Sequence, residues 1–208
     1  MNRQGAMIHA LGGHVLDLWR LARFEIHNPH SYSKTRQIRA LARRTGARCF
    51  IETGTYLGNT TRRCAPLFDK VITVELDQKL HEQAAAYLRP IRHVECLQGD
   101  ASKLLPGVIA RPDVRDALVF LDGHFSKGET ALGDVAEPAC EEIETLGKHK
   151  DKIVGVIVDD FRCFGHDGWP KRSTLIASVE DHLGAEFDFA VHLDQLVAWK
   201  RSAVATKN

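Results

Sequence analysis

A chain of 208 residues is long enough to bury one sizeable core, and it falls in the size range of one domain with a terminal extension. Lys and Arg (28) nearly balance Asp and Glu (27), which leaves no bulk electrostatic case for nucleic acid or an anionic membrane as the main partner. With 44% apolar and 26% charged residues, and no apolar run near the roughly 20 residues of a membrane helix, the composition is that of a soluble globular protein without a membrane span.

The opening segment, MNRQGAMIHALGGHVLDLWRLARF, patterns as an amphipathic helix. Its internal His, Asp and Arg and its lack of a small-residue cleavage site argue against a signal peptide. A lone terminal helix needs a cover for its apolar face, which makes this one a candidate homodimer contact. A turn then leads into TRQIRALARRTG, a second helix closed by Gly46. Five arginines fall between Arg36 and Arg48, opposite Ile38, Leu41 and Ala42, and read as a solvated helix face. The expected organisation is a helical extension over 1–35, a single domain over 36–203 and a fraying tail over 204–208.

Apolar runs follow at regular intervals: RCFIE at 48–52, KVITVEL at 70–76, RHVECLQ at 92–98, ALVFLD at 117–122 and IVGVIVDD at 153–160. Continuous Val/Ile/Leu runs belong to strands covered on both faces, and helical stretches between them imply parallel pairing through right-handed crossovers. After Pro170, KRSTLIASVEDHLG reads as a helix stopped by Gly184, and EFDFAVHLDQLVAWKR as two strands joined near Asp194. The expected fold is α/β, a doubly wound sheet ending in an antiparallel hairpin. Five cysteines, odd in number, scattered and never spaced as CxxC, predict neither a disulfide framework nor a zinc knuckle and fit a reduced, cytoplasmic protein; none has a neighbour suited to activate it.

Ligands of open parallel sheets sit beyond the carboxyl ends of the strands. Acids cluster there: Glu52, Glu75, Asp100, Asp122, and Asp159 with Asp160. The first such turn, FIETGTYLGNTT, has no lysine after its glycines, as a phosphate loop requires, and its spacing is GxxxG (Gly54, Gly58) and not GxGxxG. An acid at the strand end suits a ligand with a positively charged part, such as the α-ammonium of S-adenosylmethionine. Glu75 is then placed to accept from both ribose hydroxyls, as the corresponding acid does in dinucleotide folds.

Taken in order, FIETGTYLGNTT, VITVELD, CLQGDASKLL, ALVFLDGHFSKGETA and GVIVDDFRCF resemble the successive motifs of class I S-adenosylmethionine-dependent methyltransferases over roughly residues 30 to 200. The resemblance implies a Rossmann-like sheet of seven strands, mostly parallel with a C-terminal antiparallel hairpin. It implies donor contacts from Glu52, Gly54, Thr55, Tyr56, Gly58, Thr60, Glu75 and Asp122, with Asp100, Ala101 and Ser102 beside the adenine. A hydroxyl from Thr60 or Thr61 is expected to cap the following helix or to touch the donor's carboxylate, capping being the expected job.

Within the class, the sequence is similar to the metal-dependent small-molecule O-methyltransferases of the catechol and sugar types. That likeness implies Asp122, Asp159 and Asp160 as ligands of Mg²⁺ or another divalent cation, and a small-molecule or glycan acceptor. The catechol type carries an amide at Asp160 and a lysine base after the first metal acid, where this chain has GHFSKG. His124 is the expected acid/base or acceptor contact and Lys127 the second choice, with a loop-lining role for His124 as the plain alternative. Glu129, Thr130 and Glu137 are candidates for an acceptor lid, Arg162, His166 and Trp169 for acceptor contacts beside a loop packing its own tryptophan, and His27, His30 and Tyr32 for closure over the donor. Two rival functions remain open at this point: a nucleotide-sugar or dinucleotide enzyme on the same sheet, and a non-catalytic module that keeps the fold.

Overall fold

In the computed structural model, the described residues are 19, 31–122, 138–166 and 168–203. They form one seven-stranded sheet in the order β3-β2-β1-β4-β5-β7-β6, with β1 Cys49–Thr53, β2 Lys70–Glu75, β3 Val94–Gln98, β4 Ala117–Leu121, β5 Ile153–Val158, β6 Phe187–His192 and β7 Gln195–Lys200. β1 to β5 pair in parallel, while β7 inserts between β5 and β6 and runs antiparallel to both. The doubly wound sheet with its terminal hairpin is thus present. Chain direction across the sheet reverses between β1 and β4, and this switch point is where such sheets leave a crevice. The N-terminal segment up to residue 30, apart from Trp19, and the tail 204–208 lie outside the described residues. No helix among those described is long and apolar enough to cross a membrane.

Alternation along the strands divides the interior into two layers. Cys49, Ile51, Ala117, Val119 and Leu121 face the larger cluster, with α4 (Ala101–Ala110), α5 (Ala139–Gly147) and α6 (Arg172–Leu183). Phe50, Val71, Leu118 and Phe120 face the smaller one, beneath α1 (Ser31–Thr45) and α2 (Asn59–Cys64). The remaining described α-helix, α3 (Gln78–Leu88), connects β2 to β3. The expected apolar face of α1 is buried, with Ile38 0%, Leu41 4% and Ala42 5% exposed, and Arg44 lies over the Trp199 ring at 4.2 Å. Gly155 supplies the notch for this docking: a Cβ there would stand 2.9 Å from Leu41 Cδ2 and 3.0 Å from Leu118 Cδ1.

β5 departs from simple alternation. Its pairing with β4 steps from Ala117↔Ile153 to Leu118↔Gly155, so Val154 is an extra residue, a β-bulge. The slip reverses the phase of the strand. Ile153, Val156 and Val158 face the larger layer, and Val154 and Ile157 the smaller.

α5 and α6 cross most tightly at Gly147, where a Cβ would stand 2.7 Å from the His182 carbonyl oxygen. Alanine ordinarily favours a helix over glycine by about 1 kcal/mol, but here the collision is with backbone that cannot rotate away. Gly147→Ala is expected to destabilise the fold by about 1–3 kcal/mol in urea denaturation, and a neutral or stabilising result would disprove the close crossing.

Candidate functional site

The turn after β1 is built by backbone bonds and one buried carboxylate. Gly54 and Thr55 donate their N–H groups to the Val74 carbonyl at 2.9 and 3.1 Å, which folds the chain back over the end of β2. Gly54 (φ 93°), Tyr56 (φ 49°) and Gly58 (φ 74°) all take left-handed conformations, so the turn needs its glycines. Gly58 is the N-cap of α2, and no side chain caps that helix. The capping expected of Thr60 or Thr61 is therefore corrected: Thr61 points inward and donates to Glu52 Oε2.

Glu52 is 1% exposed and lies at the end of β1, in register with Thr73 of β2. Its Oε2 also accepts from Thr73 Oγ1 at 2.7 Å, and Thr73 in turn contacts Thr55 Oγ1 at 2.6 Å. Burial pushes the Glu52 carboxyl up to about 7. The Thr61 and Thr73 hydroxyls oppose the shift, and the negative charge of Glu75 adds to it.

Glu75 closes β2 and is nearly as buried, at 6% exposed. Its Oε2 accepts from the Tyr56 N–H at 2.7 Å and its Oε1 from the Asp77 N–H at 3.0 Å. The residue expected to take ribose hydroxyls is thus first a clasp on the β1 turn, and the Leu76 N–H is a third backbone donor to it. Burial raises its carboxyl above the ordinary range, against those backbone donors. Further along the edge, Asp100 is the N-cap of α4: Oδ1 accepts from Ser102 N at 3.0 Å and Ser102 Oγ at 2.7 Å, and these bonds with Lys103 hold its carboxyl below the usual range.

On the other side of the switch point, the Asp122 N–H donates to the Thr53 carbonyl and the Asp159 N–H to the Leu121 carbonyl, both at 3.0 Å. The two acids therefore continue the β1–β4–β5 register side by side. Asp159 is 2% exposed, and its Oδ1 accepts from Gln195 Nε2 at 3.0 Å. Asp160 has a left-handed backbone (φ 50°) and its Oδ1 pairs with Arg162 Nη1 at 2.7 Å; the same guanidinium pairs with Asp194 in the β6–β7 turn. Among the described residues, no group of three His, Cys, Asp or Glu side chains is placed to hold a metal ion.

Of the expected acceptor contacts, Trp169 packs edge-on against Phe164 with centroids 5.2 Å apart, Arg162 is held by the two aspartates, and His166 is exposed. His124, Lys127, Glu129, Thr130, Glu137, His27 and His30 lie outside the described residues, as does the side chain of Tyr32. None of the five cysteines, all among the described residues, forms a disulfide; burial pushes the thiols of Cys49 and Cys64 up to about 12, which makes them inert at neutral pH.

Three participants escaped the sequence reading. Thr73 reads as an ordinary strand residue, and Gln195 as the start of a hairpin strand. Glu142, 2% exposed on α5 with Oε2 3.5 Å from Thr53 Oγ1, had a visible signal: it shares the helical stripe of Ala139, Ile143 and Leu146.

The direction of the Glu52 shift sets a pH dependence. Its proton is bound more tightly in the folded protein (about 7) than at the ordinary value of 4.5, so the folded state holds more protons between those values and stability falls as pH rises through the window. Glu52→Gln keeps an acceptor oxygen and removes the titration. Denaturant titrations at about pH 5 and about pH 8 are expected to show a smaller fall than in the wild type, with a gain at the higher pH on the order of 3 kcal/mol. Equal pH slopes for the two proteins would exclude Glu52 as the titrating group.

No protein-family model matches the chain, and no curated protein matches it in sequence. Solved structures do match in fold. An O-methyltransferase from Bacillus cereus in complex with SAH is 17% identical, with a TM-score of 0.60 over 89% of this chain and 87% of that one. SAH-bound PaMTH1, a methyltransferase from Podospora anserina, is 15% identical, with a TM-score of 0.56 over 80% and 78%. The O-methyltransferase TomG from Streptomyces achromogenes, in complex with SAM and involved in tomaymycin synthesis, is 18% identical, with a TM-score of 0.53 over 81% and 80%. With the strand order and the terminal hairpin, these likenesses establish that the chain carries the class I S-adenosylmethionine-dependent methyltransferase fold.

Proposed function

We propose that the protein transfers a methyl group from S-adenosylmethionine to an oxygen of a small molecule or sugar. The observation that carries this reading is the pair of buried carboxylates, Glu52 and Glu75, on neighbouring strand ends beside the switch point. In a turn without a lysine, such a pair repels a pyrophosphate and attracts a cation and hydroxyl donors. Methyltransferases of the same fold, solved with SAM or SAH, support the donor assignment.

In this reading Glu52 receives the α-ammonium and Glu75 the ribose hydroxyls through the lone pairs its backbone donors leave. Gly54, Thr55, Tyr56, Gly58 and Thr60 line the amino-acid end. Asp100, Ala101 and Ser102 lie along the base, and Asp122 stands between donor and acceptor. When bound, the donor supplies an electrophilic methyl carbon on a sulfonium, and the breaking S–C bond leaves its electron pair on sulfur as a new bond forms to the acceptor oxygen. The protein's part is to align the two in line and to take the acceptor's proton, a task assigned to His124 with Lys127 as the second choice. Because nucleophile and sulfonium neutralise one another, alignment and exclusion of water supply most of the acceleration.

The triad expected for a divalent ion does not fit as a set. Asp122 and Asp159 come side by side, but Asp160 turns to the Arg162 guanidinium, which already supplies positive charge at that position. No step of the proposed reaction is therefore routed through a metal. Asp122 and Asp159 are assigned to the acceptor side of the crevice, and the cytoplasm to the protein as the compartment in which five thiols stay reduced.

Calorimetry tests the donor half. S-adenosylhomocysteine is expected to bind and NAD is not, and NAD binding alone would overturn the assignment. Glu75→Ala is expected to weaken S-adenosylhomocysteine binding by on the order of 2–4 kcal/mol, the value of a charge-assisted hydrogen-bond pair; unchanged affinity would remove Glu75 from the site. For the acceptor half, Asp159→Ala is expected to abolish methyl transfer to a panel of phenolic and sugar acceptors while S-adenosylhomocysteine binding stays within about twofold. Retention of transfer would show that the acceptor lies elsewhere.

A further inference from the structure

We propose that Thr73, with Thr55 behind it, is a positioning residue for Glu52, forming a one-way hydroxyl relay that runs from the donor-binding turn to the carboxylate, keeps it aimed and favours its charged form. The inference rests on the donor-site reading above and deepens it.

Proton counting fixes the direction of the relay. An ionised carboxylate offers only lone pairs, so Thr61 and Thr73 must both donate to Glu52 Oε2. Thr73 has a single hydroxyl proton, now spent, so its 2.6 Å contact with Thr55 is filled by the proton of Thr55. Thr55 sits in the turn itself, its N–H bonded to Val74. A neutral carboxyl with its proton on Oε1 could still accept both bonds at Oε2, but a neutral oxygen accepts more weakly than an anionic one, so the two donors favour the anion.

Packing alone does not call for these hydroxyls. Thr61 and Thr73 are fully buried, Thr55 is 3% exposed, and β2 otherwise reads Val71, Ile72, Val74 around Thr73. Valine has the same shape and adds no polar atom to bury, so threonine here costs desolvation and returns it only through the bond to Glu52. Of the ionisable groups around this cluster, Glu75 on β2 acts on Glu52 with like charge, Cys64 on α2 and Cys96 on β3 can carry only negative charge, the cations Arg39 on α1 and Arg63 on α2 act on Cys64, and β4 presents Phe120 opposite. On Glu52 itself, the two hydroxyls are what oppose desolvation.

The test measures S-adenosylhomocysteine affinity by calorimetry from about pH 5.5 to about pH 9. Wild-type affinity is expected to rise as Glu52 ionises. Thr73→Val removes one bond to the anion, so the rise is expected to move to higher pH, with affinity about tenfold weaker near neutrality, and Thr73→Ser is expected to restore it. Thr55→Val, which leaves the Thr73–Glu52 bond in place, is expected to shift the profile in the same direction by less, and it decides the matter if Thr73→Val does not fold. A profile superimposable on the wild type in the folded variants overturns the relay while leaving the donor site standing. A wild type that binds no S-adenosylhomocysteine at any pH instead overturns the donor-site reading and the relay with it.

Discussion

Confinement of the Glu52 carboxylate between two strands is the constraint around which the β1–β2 side of the crevice is arranged. A carboxylate removed from water carries a penalty of several kcal/mol, and each hydrogen bond to a charged group returns about 1.5–3 kcal/mol. Meeting that penalty explains local structure that otherwise looks arbitrary. α2 turns its third residue, Thr61, inward, and its N-terminus is left to a left-handed glycine without a side-chain cap. Strand β2 carries a threonine in an aliphatic run, and Glu75 clasps the β1 turn through the Tyr56 N–H and its own turn through the Asp77 N–H. Turn, helix and strand thus share one electrostatic problem.

The two halves of the crevice solve it differently. On the β1–β2 side, Glu75 acts on Glu52 and Asp77 on Glu75 with like charge, and burial raises both carboxyls. On the β5 side, Asp160 and Asp194 share the Arg162 guanidinium, and Arg172 Nη2 donates to the Arg162 carbonyl at 2.8 Å. One side gathers buried acids at neighbouring strand ends, whereas the other is cross-braced between the end of β5 and the hairpin.

Much of this was legible because burial on both faces leaves a plain mark. Runs such as KVITVE and IVGVIV could be read as parallel strands, and the acids after them fell at the strand ends as expected. What was hidden depends on pairing between distant segments. Thr73 is indistinguishable in sequence from a strand threonine chosen for its β-branched shape, because its partner Glu52 is 21 residues away. Asp160 looked equivalent to Asp159, yet a left-handed backbone and Arg162 separate them. The Val154 bulge leaves no trace in a stretch that is apolar on every side.

That bulge has a consequence for how the crevice is tuned. Side chains alternate across a strand, so the parity of β5 decides which face its final acids address. Glu52 shares parity with Phe50, Asp122 with Phe120 and, beyond the slip, Asp159 with Ile157, all on the layer under α1 and α2. Counted from Ile153 without the slip, Asp159 would fall on the opposite face. One surplus residue at the far end of the strand thus acts as a phase shifter, letting the core-facing start of β5 and its chemical end obey separate rules. Insertions and deletions there offer a route by which a shared sheet can exchange one acceptor edge for another without repacking its core.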